Sequence, residues 1–130
     1  MFLLFSCIAV MIACSNSNVN SQSNSGMLPA KTFAQKLESP SSKVVIDVRT
    51  PDEYKEGHIK SAVNIDWDGD HFDAQVDKLD KATPVYVYCY AGGRSSAAAK
   101  SLRKKGFKEV YDLDGGMAAW REAGLPEEKN

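Results

Sequence analysis

Charge is missing from the head of the chain. All of the 16 Lys and Arg and the 17 Asp and Glu lie at or beyond Lys31, so the first thirty residues carry no charged side chain. The opening run, MFLLFSCIAVMIAC, is apolar but too short for a membrane-crossing helix, which needs about twenty residues. It has the length of the apolar segment of a secretory signal. A formal net charge of -1 excludes any general pull toward nucleic acid or acidic membranes. Histidine occurs only twice, and His71 alone cannot build a zinc site. Cysteine is scarce as well. Of three cysteines, Cys7 and Cys14 fall in the apolar head, which leaves Cys89 as the single thiol of the remainder. A disulfide within that remainder is therefore excluded, and an unpaired cysteine in an exported chain points to a reactive group.

After the apolar run comes SNSNVNSQSNSG, a Ser/Asn tract with nothing to bury, which reads as a tether. Met11-Ile12-Ala13-Cys14 resembles the lipobox of bacterial lipoproteins, in which the cysteine is lipidated and becomes the new N-terminus. Met11 stands where leucine is more usual, and no Lys or Arg precedes the apolar run. The expected organisation is a signal peptide over 1–14 ending at Cys14, a flexible linker over 15–27 and one folded domain over 28–130. The resemblance implies a lipid anchor holding the domain at a bacterial membrane, facing the periplasm. The absence of an acidic residue after Cys14 favours the outer membrane.

From Leu28 onward, strand-like and helix-like segments alternate, with no internal repeat. LPAKTFAQKLES places Phe33 and Leu37 one helical turn apart. KVVIDVR is a β-branched, buried strand. TPDEYKEG has a Thr cap, Pro at the first helical position, acidic residues in the first turn and a stop at Gly57. SAVNID is a short strand, and HFDAQVDKLD carries Phe72, Val76 and Leu79 on one helical face. PVYVYC is the next strand, SSAAAKSLRKKG a helix stopped by Gly106, FKEVYDL a last strand and GGMAAWREAGL a closing helix. Such alternation predicts an α/β fold with a mainly parallel sheet and helices on both faces. Sites in these folds form where the carboxyl ends of strands meet helix N-termini.

CYAGGRS lies at such a point. The strand runs into Cys89. Gly92 and Gly93 then let the backbone turn through conformations closed to other residues and approach the sulfur closely. Successive amides in such a loop form an anion-binding nest, and the helix beginning near Ser95 adds its positive end. Arg94 contributes a permanent charge. Each of these favours negative charge on sulfur, hence a thiolate nucleophile. Against this stands the ordinary reading of a strand-end cysteine as a small buried hydrophobe beside a plain Gly-Gly turn.

Residues 44 to 126 resemble the rhodanese domain of single-domain sulfurtransferases, on VVIDVRTPDEYKEGHIKSAVNID, VYVYCYAGGRSSAAAKSLRKKGF and VYDLDGGMAAW followed by GLP. The resemblance implies a persulfide carried on Cys89, loaded from a small sulfur-containing anion such as thiosulfate. The sulfur then passes to cyanide or a thiol, a protein thiol included. Tyr90, Ala91, Gly92, Gly93, Arg94 and Ser95 would form the active-site loop, with Arg94 holding the loop and attracting the anionic donor. No cofactor or metal is implied, and a monomer is expected. A rhodanese-like sulfur carrier or binding module without activity of its own is the alternative. The related dual-specificity phosphatases place one residue more between cysteine and arginine. The gap of Tyr90, Ala91, Gly92 and Gly93 fits a sulfur atom better than a phosphate, so a phosphatase is the weaker reading.

Asp47 and Arg49 end a strand near this loop. The resemblance gives Asp47 a supporting role in the fold, and Arg49 is a candidate for donor binding against a supporting ion pair. His58 is expected to brace a turn, and Met117 and Trp120 to anchor the last helix in the core. Asp66, Asp68 and Asp70 match the start of a calcium loop, but His71 replaces its glycine and Asp77 its final glutamate. A solvated acidic loop preceding a helix explains them better.

Overall fold

A computed structural model describes residues 26–130. The expectations for the signal segment, Cys14 and most of the Ser/Asn tether fall on 1–25, outside the described residues. The described chain forms five strands and five helices in near-strict alternation: β1 (Gly26–Leu28), α1 (Ala30–Glu38), β2 (Val44–Asp47), α2 (Pro51–Glu56), β3 (Val63–Asn64), α3 (Phe72–Val76), β4 (Val85–Tyr88), α4 (Gly93–Lys104), β5 (Val110–Leu113) and α5 (Gly116–Glu122). The sheet order is β1-β5-β4-β2-β3. Every strand pair is parallel. The α/β class with a parallel sheet is thus as the alternation predicts.

The strands alternate their side chains between two apolar layers, as a pleated strand must. Ile46, Val48, Val85, Val87, Cys89 and Val110 face one layer with Phe72 and Val76 of α3 and Ala98, Ala99 and Leu102 of α4. Val45, Tyr86, Tyr88, Tyr111 and Leu113 face the other, with Phe33 of α1 and Met117 and Trp120 of α5. Helices therefore cover both faces, and the β4 run, fully buried at all four positions, explains its unbroken apolar character.

Local rules account for the ends of the elements. Thr50 caps α2: its hydroxyl accepts from the Glu53 amide at 3.3 Å, and Glu53 Oε1 accepts from the Thr50 amide at 3.4 Å. This capping box, with Pro51 at the first helical position, fixes where α2 begins. Two elements are shorter than the sequence suggests. α3 covers five residues, and β3 two on the sheet edge. β1 takes in Gly26 and Met27, which composition assigns to the tether. It forms by backbone pairing with Tyr111, Asp112 and Leu113 of β5, which needs no apolar pattern of its own.

Candidate active site

Cys89 is the first residue past β4, at the carboxyl edge of the sheet, and is 1% exposed. Its loop is shaped by the start of α5. The Met117 amide donates to the Cys89 carbonyl at 2.8 Å, and the Ala118 amide to the Tyr90 carbonyl at 3.0 Å. These amides belong to the first turn of α5 and have no partner within the helix. Turning two carbonyls toward α5 leaves the following amides free to face the sulfur. The Gly92 amide does so, donating to Cys89 Sγ at 3.0 Å.

Two glycines make the close approach possible. Gly116 has φ +57°, and a Cβ there would stand 2.5 Å from both the Cys89 and the Tyr90 carbonyl oxygens. Gly92 has φ +118° and caps α4, its carbonyl accepting from the Ser96 amide at 3.0 Å. The sulfur accordingly lies at the N-terminal end of α4, where unpaired amides and the helix dipole favour an anion. Ser95 in the first turn of α4 is fully buried, with its Oγ 3.4 Å from Cys89 Sγ and 3.3 Å from the Gly92 carbonyl. Tyr90 is half exposed at the mouth of the loop.

Arg94 does not point into the loop as a free charge. Its two terminal nitrogens donate to Glu53 Oε1 at 2.8 Å and Oε2 at 3.1 Å, tying α4 to α2. Hydrogen bonds from Arg94 hold the Glu53 carboxyl at about 2, well below the usual range, although partial burial opposes the shift. Glu53 in turn holds the Arg94 guanidinium more firmly protonated, and the nearby Cys89 sulfur adds to that effect. The arrangement is a fork-to-fork pair that fixes where the positive charge sits relative to the sulfur.

Arg49 and Asp47 stand elsewhere. Arg49 is 2% exposed; its Nε and Nη2 donate to the Asp47 carboxylate, the shortest bond being 2.7 Å, and Nη2 also reaches the Gly57 carbonyl at 2.7 Å. The guanidinium lies over the Tyr88 ring, 5.6 Å from its centre. Tyr88 belongs to the layer opposite the one that holds Cys89. The contacts of Arg49 with Asp47, Gly57 and Tyr88 therefore serve the fold, on the side of the sheet opposite the Cys89 side chain. His58 is buried too, its Nδ1 2.9 Å from the Tyr54 carbonyl and its ring stacked on Tyr54, while its backbone pairs with Glu128. It braces a turn and the C-terminal segment.

Two participants escape the sequence reading. Glu53 is visible only as the third residue of a capping box, and nothing in its local pattern pairs it with Arg94. The role of Gly116 hides inside GGMAAW, where the conspicuous residues are the core anchors Met117 and Trp120. A pair of glycines before a helix was the available signal, since both Gly115 and Gly116 adopt positive φ.

Comparison with known proteins bears on this geometry. The family description "Rhodanese-like domain" matches residues 29–123. Thiosulfate sulfurtransferase GlpE of Coxiella burnetii is 42% identical over 78 residues, 60% of this chain and 71% of that protein. GlpE of Shewanella oneidensis is 39% identical over 97 residues, 74% of this chain and 92% of its own. YrkF of Bacillus subtilis, provisionally named a sulfur carrier protein, is 32% identical over 104 residues, 78% of this chain and 55% of YrkF. Among solved structures, a rhodanese-related protein of Thermoplasma volcanium superposes with a TM-score of 0.71 at 27% identity, covering 80% of this chain and 98% of that one. A rhodanese-like domain of Anabaena sp. gives 0.71 at 32% identity, covering 80% and 79%.

Proposed function

Because the chain belongs to the rhodanese-like domain family, we propose that it is a sulfurtransferase that carries sulfane sulfur as a persulfide on Cys89. The observation that carries this reading is the Gly92 amide donating to Cys89 Sγ at 3.0 Å, in a loop whose first two carbonyls are drawn away by α5. Backbone dipoles of this kind are preorganised for negative charge on sulfur and need no general base alongside them.

The reaction is written for thiosulfate as donor. The Cys89 thiolate attacks the outer sulfur of thiosulfate; a new S–S bond forms, the S–S bond within thiosulfate breaks, and its electron pair leaves with sulfite. The product is a Cys89 persulfide anion, which the inward amides and the start of α4 stabilise. A thiophilic acceptor then attacks the outer sulfur and restores the thiolate, cyanide leaving as thiocyanate. The Glu53–Arg94 pair fixes the loop from the α2 side and sets where the Arg94 charge, offset in part by Glu53, meets the anionic donor. We place the domain at a cell-envelope membrane, tethered through Cys14.

Intact-mass measurement after thiosulfate treatment tests the proposal. The wild-type protein is expected to gain the mass of one sulfur atom and to lose it on adding cyanide. Absence of the adduct, or its persistence in Cys89→Ser, would refute the reading. The similarity to YrkF favours one second reading, a carrier loaded by a partner protein. A carrier of that kind would take up sulfur from a persulfidated partner yet show no turnover of free thiosulfate with cyanide.

A further inference from the structure

The near-neutral total charge hides a division between the two ends of the sheet. All strand pairs are parallel, so every strand begins at one edge and ends at the other. The segments leading into β2, β3, β4 and β5 (39–43, 59–62, 77–84 and 103–109) carry eight Lys and Arg against three Asp and Glu. The segments leaving the strands at the opposite edge (29–31, 48–53, 65–71, 89–95 and 114–115) carry three against six. The basic edge is therefore the one remote from the Cys89 loop.

Backbone bonds knit the basic edge together. The Val44 amide donates to the Pro84 carbonyl and the Val85 amide to the Glu109 carbonyl, both at 2.9 Å. The Lys108 amide donates to the Lys81 carbonyl at 3.1 Å, which places two exposed lysines on adjoining loops. Lys104, also exposed, ends α4 just before the second of these loops. Lys105 is offset by Asp73 and Asp77, at 3.0 Å each. At the starts of β2 and β3 a groove of about 770 Å³ is flanked by Lys43 and Lys60, with Val44, Val63 and Trp120 among its walls.

The chain also enters the described domain at this edge. Gly26 is level with Tyr111, and Tyr111 with Tyr86, so β1 starts three residues below Cys89, about 10 Å along the strands. The stretch from Cys14 to Gly26 spans at most about 40 Å when fully extended. A domain held at Cys14 thus keeps its basic edge within reach of lipid.

We propose that this edge seats on anionic phospholipid headgroups, so that the Cys89 loop points away from the membrane. The inference lies outside the sulfur chemistry and takes from the anchoring proposal only which surface is within reach. Lysines close to an anionic surface are attracted to it. Asp66, Asp68 and Asp70, past the end of β3, lie beyond a Debye length of about 10 Å at 0.1 M salt and barely oppose the pose. In the reverse pose these carboxylates would meet the headgroups and be repelled. The apolar walls between Lys43 and Lys60 match the boundary of headgroup and acyl chain, for which a nucleic-acid backbone has no counterpart.

The test is co-sedimentation of the full chain with vesicles of phosphatidylcholine alone or mixed equally with phosphatidylglycerol. The first thirty residues carry no charge, so they partition alike into both, and the ratio reports the folded domain. No lipid on Cys14 and no sulfur donor is needed, so the result stands apart from the anchoring and persulfide tests. The wild type is expected to prefer the anionic vesicles by about tenfold or more at low salt and to lose the preference at high salt. Lys81→Gln with Lys108→Gln should remove most of it, at roughly fivefold per lysine. Lys31→Gln with Lys55→Gln makes the same change in net charge away from the edge and should leave the ratio unchanged. Turnover of thiosulfate with cyanide, without vesicles, should be the same in both variants. Acetylation read by mass spectrometry should find Lys81, Lys104 and Lys108 protected on anionic vesicles and Lys31 and Lys55 not. A wild-type ratio near one, equal loss in both double variants, or equal protection of Lys31 and Lys55 would overturn the proposal. Tighter binding to duplex DNA than to anionic vesicles at equal charge would overturn it too, assigning the edge to nucleic acid.

Discussion

Arg94 and Glu53, 41 positions apart in sequence, meet in a two-pronged ion pair at 2.8 and 3.1 Å. Glu53 is at the same time the third residue of the α2 capping box, so one carboxylate serves a helix end and the active-site loop. Two substitutions separate these tasks. Glu53→Gln keeps a side chain that can complete the capping box but removes the charge; it is expected to cost about 1 kcal/mol, because the pair is partly exposed to solvent. Glu53→Ala loses the cap as well and should cost roughly 1 kcal/mol more. With the Glu53 carboxyl held at about 2 rather than 4.5, the pair stabilises the fold fully above the ordinary value and less as the pH falls toward 2. Denaturant unfolding across that window should show wild type and Glu53→Gln converging at the acid end. In the sulfur-transfer assay Glu53→Gln leaves the Arg94 charge uncompensated, and the KM for thiosulfate should fall roughly threefold, less than 1 kcal/mol.

The contact between Gly116 and the loop carbonyls predicts a sharp difference between neighbouring glycines. Gly116→Ala must place a methyl group 2.5 Å from two carbonyl oxygens at φ +57°. Strain and displacement together should cost about 3 kcal/mol or more. The loop would lose the α5 amides that turn its carbonyls outward, and persulfide formation should fall with it. Gly93→Ala meets nothing within 4 Å and lies in α4. Its thermal midpoint should be unchanged or slightly higher, since alanine is the better helix former. Equal destabilisation by both would count against the account of the loop given above.

Much of this architecture is legible in the residues, for local reasons. The four-residue runs VVID and VYVY are buried on both faces and read as strands without context. Thr50-Pro51 announces α2, and CYAGGRS marks its own loop because two glycines follow a strand-end cysteine where a helix begins. What could not be read depends on pairing across distance. β1 has three residues, one of them a glycine, and becomes a strand only because β5 offers it a backbone edge. Arg49 lies two residues from Asp47 in a segment next to the loop, yet strand alternation turns it to the other layer. Sequence proximity to a site does not say which face of a sheet a side chain takes. Asp112 reads as a polar residue in a strand, and only its burial opposite Val87 makes it conspicuous.

The anchoring proposal can be decided in cells. Met11-Ile12-Ala13-Cys14 would be processed only where lipoproteins are matured, so expression in such a bacterial host is required. Cys14→Ala should move the protein from the membrane fraction to the soluble fraction of the envelope, and Cys7→Ala should not. Metabolic labelling with a fatty acid should mark the wild type and not Cys14→Ala. Unchanged membrane association of Cys14→Ala would argue against a lipid anchor at this position.

Arg49 offers a test of support against donor binding. It is buried with Asp47 and shares its Nη2 with the Gly57 carbonyl, so removing it leaves a carboxylate inside the fold without its counter-charge. Arg49→Met should therefore cost about 3–5 kcal/mol, the usual cost of breaking a buried pair from one side. Arg49→Met combined with Asp47→Asn should recover part of that loss, because the stranded charge is gone. Activity should follow the folded fraction: corrected for it, the KM for thiosulfate should match the wild type in both variants. A donor-binding Arg49 would behave differently, raising KM in the double variant even where stability is regained. Urea unfolding measured beside steady-state kinetics on the same preparations separates the two.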